Sequence, residues 1–211
     1  MSQEFYKAAQ DLAKAAVRQL PARWNDDAVN RRGLRAEFRR WRPDATEVPT
    51  MEMRGAIWAD NYLFAIIPAP ASDESADEQR LREWHTNQMI DQAAILVSLR
   101  AVAGEHSDAN SFGKALLLAG VSDTRFARLA TEPPSGRLGA VRRALQTIDR
   151  EGKGIDWTKE TSRFHRFLFG SPDQAKKAVD AWAADFFRAR GKAAAEGQAD
   201  AENTTDDTNN E

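Results

Sequence analysis

The sequence predicts an all-α protein, a two-lobed helical bundle that ends in a disordered acidic C-terminal tail. Three observations predict it. Apolar residues recur at helical spacing along nearly the whole chain. No alternating apolar–polar run persists long enough to make a strand. Five segments of the second half open on a helix-start residue: Ser111, Ser122, Ser135, Asp156 and Ser171.

The first helix aligns Phe5, Leu12 and Leu20 near one stripe, with Ala9 and Ala16 between them, and stops at Pro21. A second covers about 26–41, with Leu34, Phe38 and Trp41 facing inward at i, i+4, i+7. Pro43 and Pro49 bracket a loop, and a third helix runs from about 50 to 67, ending before Pro68. The acidic cluster 73–78 then reads as a loop. A long helix follows near 78–103, with Leu81, Trp84, Leu96 and Leu99 among its buried residues and Gly104 as its C-terminal cap. Short helices follow the five start residues, and Ser171-Pro172-Asp173-Gln174 holds a capping box with proline at the first helical position. That last helix is expected to reach about Arg190. The domains are therefore 1–105, an N-terminal helical lobe, 106–190, a C-terminal helical lobe, and 191–211, the tail.

The 211-residue chain has a net charge of −2, but the charge is unevenly placed. Residues 191–211 hold one lysine and six acids and no large apolar side chain, so the tail cannot offset the entropy of ordering. The body without it carries +3, and 112–190 alone carries +6. The mild acidity therefore does not argue against a polyanionic partner.

Catalytic patterns are missing. With no cysteine, neither disulfides nor thiolate metal sites can form. His85, His106 and His165 stand in three separate segments without metal-ligand spacing, and His165 reads as a core residue among aromatics. No glycine-rich loop follows a strand. The tryptophans read as packing residues. No apolar run approaches the ~20 residues of a membrane span, and the N-terminus lacks a signal peptide's apolar region, so a cytoplasmic protein that is not an enzyme and uses no cofactor is expected.

What stands out is arginine. Residues 31–42 hold six arginines, at 31, 32, 35, 39, 40 and 42, against the single acid Glu37. Arg31, Arg35, Arg39 and Arg42 form a stripe beside the inward face. Like charges at i, i+4 repel by a few tenths of a kcal/mol (~0.2–0.5) per pair, which an ordinary mixed surface avoids. In the second half, Leu138, Val141, Leu145 and Ile148 face inward and leave Arg142 and Arg143 toward the helix edges. Arg125 and Arg128 flank Phe126 and Leu129, and Lys114 stands among apolar residues near a surface. One-signed charge without a recognition motif suits phosphate backbone rather than base edges.

The residues Ser111, Gly113, Ala115-Leu116, Gly120, Arg125-Phe126, Arg142-Arg143 and Asp156-Trp157, in that order and spacing, resemble the CasB family, the small subunit of type I-E CRISPR Cascade complexes. FRRWRPDATEVP is similar to the family's arginine-bearing helix and its proline-containing connection. The likeness spans about 30–188 and is strongest over 111–157. It implies a non-catalytic helical subunit in two head-to-tail copies, beside the guide-RNA-coating backbone subunits and the Cascade large subunit. Its basic surface is then expected to hold target DNA and the displaced single-stranded DNA of an R-loop whose sequence the guide RNA selects. The best-matched site residues are Arg39, Arg40, Lys114, Arg125, Arg142 and Arg143; Arg35 and Arg128 are added from the residue pattern alone. Two rivals are a helical DNA-binding regulator, for which ALLLAGVSDTRFARL superficially resembles a helix-turn-helix, and a pure scaffold whose arginines meet acidic protein patches.

Overall fold

A computed structural model describes residues 3–20, 31–42, 48–58, 74–103 and 110–205. Among them are nine α-helices and no strand: α1 (Gln3–Gln19), α2 (Arg31–Arg40), α3 (Met51–Trp58), α4 (Ala76–Val102), α5 (Phe112–Leu118), α6 (Asp123–Ala130), α7 (Arg137–Arg150), α8 (Trp157–Phe169) and α9 (Pro172–Thr205). Of the expected features, residues 26–30 of the second helix, 59–67 of the third, Pro43, Gly104, His106 and the side chains of Arg31 and Arg32 lie outside the described residues.

The long α4 is the spine. α1, α2 and α3 pack on it, and so do α7 and α8. α9 lies against α5 and α8, and α1 reaches across to α8. The two groups of helices share one apolar cluster, from Phe5, Leu12 and Phe38 through Leu96 and Leu99 to Val141, Phe164 and Trp182. Phe112, Phe164 and Trp182 form an edge-on aromatic knot with centroids about 5 Å apart, a geometry that adds specific attraction to the burial.

Start signals at Ser111, Ser122 and Asp156 act as read: each side chain accepts from backbone N–H groups of its first turn. Ser171 and Gln174 form the expected reciprocal box, with Ser171 N–H donating to Oε1 at 2.9 Å. Ser135 does not cap α7; Gly136 holds that position without a side-chain bond, because the Pro133–Gly136 turn intervenes. A further box begins α4, where Ser75 and Glu78 cap each other. The end of the acidic cluster is thus the first turn of a helix, where acids complement the dipole, and not a loop.

Two glycines are required by geometry. Gly120 takes φ +71° after α5, where its N–H donates to Leu117 O and that of Val121 to Leu116 O, a Schellman ending. Gly113 lies where α5 crosses α9: a Cβ there would overlap the Trp182 carbonyl oxygen.

Leu96 and Leu99 are buried as expected, but Leu81 and Trp84 are 55% and 54% exposed. They sit in the first turns of α4, before the stretch on which its partners pack, so helical spacing alone overcounted the core. The last helix also runs past Arg190 to Thr205. Ala193, Ala194 and Ala195 are strong helix formers, and residues 191–195 are all exposed, so helix propensity continues the helix over this stretch.

Candidate nucleic-acid interface

The eight expected site residues fall into distinct settings. Arg125 and Arg128 project from α6 and Arg143 from α7, and all three are exposed. Together they rim one groove of about 320 Å³ between α5, α6 and α7. Its floor is apolar, with Leu116, Val121, Phe126, Leu129 and Ala144. Ser122 fixes the start of α6, and Phe126 stacks on Phe186 at 4.7 Å, so the arginines rise from an anchored helix. Among the described residues none of the three guanidiniums has a hydrogen bond or an acid partner, whereas Arg54, Arg82, Arg163 and Arg190 each have a carboxylate.

The α2 arginines form a second group. Arg39 is exposed and faces Asp149 of α7 at 3.7 Å. Exposed Arg40 turns its Nε to the Ala36 carbonyl at 3.1 Å. With Arg42 it borders a shallow hollow that also contains Glu37, whose carboxylate accepts from Thr50. Phe38 is fully buried and Leu34 and Trp41 are packed against the core, as the spacing requires, while Arg35 is half-buried. Lys114 is exposed on the first turn of α5.

Arg142 departs from expectation. It is only 8% exposed, and its guanidinium donates to the carbonyls of Trp41 (2.9 Å) and Arg39. Burial pushes its pKa down, and Arg42 and Arg39 add repulsion. It holds the end of α2 and has no open face for a phosphate. Heptad position could not reveal this, because the element that covers Arg142 comes from the other end of the chain. Arg42, near enough to repel Arg142, joins the surface in its place; its signal was the last step of the arginine stripe.

The acid and the histidine whose pKa values burial shifts lie in the core. His165 is fully buried, with Nε2 3.0 Å from Gln92 Oε1, and burial with Lys14 and Arg166 nearby pushes it down to about 4. Glu160 accepts from Trp182 Nε1 and Arg163 Nη1, each at 2.7 Å, although burial pushes its carboxyl up. Arg163 also bonds Asp185 at 2.9 Å, extending the network to a partly buried pair. No group of three or more His, Asp or Glu that could hold a metal occurs among the described residues. None of the described helices is long and apolar enough to cross a membrane.

Residues 34–187 match the model of the family described as CRISPR-associated protein Cse2. Among solved structures, the chain is similar to CasB from Thermobifida fusca at 17% identity, with a TM-score of 0.54 over 85% of this chain and 97% of that one. No curated protein matches. The residues of the sequence resemblance have structural duties within this fold: Ser111 and Asp156 cap helices, Gly113 admits α9, Gly120 ends α5, and Phe126 and Trp157 are buried.

Proposed function

The chain belongs to the CRISPR-associated Cse2 family, and on that premise we propose that it is the non-catalytic small subunit of a type I-E Cascade complex, holding nucleic-acid backbone without reading its sequence. In this reading it steadies the target and displaced strands of the R-loop, in the cytoplasm, beside the large and backbone subunits and a second copy of itself. Guide pairing is a near-balanced strand exchange, which modest backbone contacts can tip.

The observation that carries the reading is the trio of exposed arginines on α6 and α7 that has no ion-paired acid among the described residues. A guanidinium without an internal partner is available for a phosphate, which it can meet with two parallel bonds. The perturbed groups His165 and Glu160 are themselves fully buried, which supports a role without catalysis.

The test is salt dependence. Neutralising three or four phosphates of a single strand gives a slope of log affinity against log salt of about −2 to −3. The protein is expected to show that slope with single strands of unrelated sequence. Tight binding confined to one duplex sequence would overturn the reading in favour of a DNA-binding regulator.

A further inference from the structure

The groove between α6 and α7 has a feature that backbone tracking does not require. Its three guanidiniums stand around an apolar hollow lined by Leu116, Val121, Leu129 and Ala144. A surface that only follows phosphates needs charge and not an apolar floor. About 320 Å³ is near the lower bound for small-ligand sites. Glu132 and Thr147 also line the groove. A carboxylate there repels a bare polyphosphate, yet it accepts hydrogen bonds from the exocyclic amine of a base.

We infer that this groove takes one unstacked nucleotide of a single strand, its base on the apolar floor and its flanking phosphates on Arg125, Arg128 and Arg143. The inference rests on the proposed backbone-binding role and adds a base site to it. The charge arrangement favours this occupant over an acidic peptide, because Glu132 offers a peptide carboxylate only repulsion while a base brings donors. Arginine planes and apolar side chains are surfaces on which splayed-out bases settle. Apolar contact with the face of a base does not depend on its identity, and Glu132 adds a preference only for bases that carry an exocyclic amine.

The test uses the full-length protein and fluorescence anisotropy at low salt with three labelled probes: a deoxycytidine decamer, an abasic decamer with the same backbone, and an acidic decapeptide containing leucine. The deoxycytidine decamer is expected to bind about tenfold tighter than the abasic one. Filling the groove with Ala144→Trp is expected to cut that preference below about twofold while the salt slope stays unchanged. Ala144→Leu, a smaller intrusion, gives an intermediate loss. Equal affinity of the two decamers for the wild-type protein, with the salt slope intact, overturns the base site and leaves backbone binding standing. Failure of both decamers to bind overturns both readings. Preferential binding of the peptide, lost on filling the groove, overturns the base site in favour of a protein partner.

Discussion

The guanidinium of Arg142 donates to the main-chain carbonyl of Trp41 at 2.9 Å, across 101 residues of sequence. A side chain of α7 thereby satisfies carbonyls at the C-terminal end of α2, which a helix leaves without internal partners. The arginine-rich helix is held to the C-terminal helices by this contact and by the Arg39–Asp149 pair on the surface.

Arg142→Ala is therefore expected to destabilise the fold by about 2 kcal/mol, because it strands two carbonyls and removes a packed side chain. Arg143→Ala, at an exposed site, should stay within ~0.5 kcal/mol. Urea unfolding of the two variants separates them, and equal midpoints would show that Arg142 does not hold α2.

Arg125→Ala with Arg128→Ala should leave stability nearly unchanged, since Phe126 and Leu129 supply the burial on α6. The pair should reduce the magnitude of the single-strand salt slope by about 1.4, the loss of two phosphate contacts. An unchanged slope would remove these arginines from the interface.

Gly113→Ala is expected to cost more than about 2 kcal/mol, since its Cβ would overlap the Trp182 carbonyl and force α5 from α9. Gly55→Ala is the contrast. Among the described residues nothing lies within 4 Å of a Cβ there, so the exposed α3 position should gain roughly 0.5–1 kcal/mol from better helix propensity. Thermal melts of both variants check the opposite signs.

His165 makes stability depend on pH. The unfolded imidazole takes up its proton near 6.5, whereas the buried one resists until about 4. The unfolded chain thus binds more protons in that window, and stability falls as pH drops through it, by up to ~1.4 kcal/mol per unit. Glu160 works in the opposite sense: its raised carboxyl favours the folded chain at low pH, and that contribution fades as pH rises above 4.5. Comparing wild type with His165→Gln isolates the histidine. Identical pH slopes from 7 to 5 would show that its burial does not matter to folding.

Truncation after Arg190 should change the melting temperature little, because residues 191–195 are all exposed and the tail has no large apolar side chain to bury. It raises the net charge from −2 to +3. A tethered polyanion competes at up to about millimolar effective concentration, so truncation should tighten non-specific strand binding, more at about 50 mM salt than at higher salt. Equal affinities at low salt would dispose of this competition.

Helix class, the caps at Ser111, Ser122, Asp156 and Ser171, and the inward faces of α2 and α7 were legible in the sequence. Each depends on residues within four or five positions of one another, and capping and helical periodicity are local rules. The capping box at Ser75 was equally local and was hidden only by its acidic neighbours. The grouping of the arginines was not legible. Arg142 and Arg143 are adjacent in sequence, yet one is buried beneath the end of α2 and the other rims an open groove. A step of 100° around the α7 axis separates them, and only the packing of a distant helix determines which side is covered. For the same reason, the tertiary structure alone decided that Leu81 and Trp84 stay exposed while Leu96 and Leu99 are buried on the same helix. Periodicity marks a face, but burial depends on where the partner helices stop.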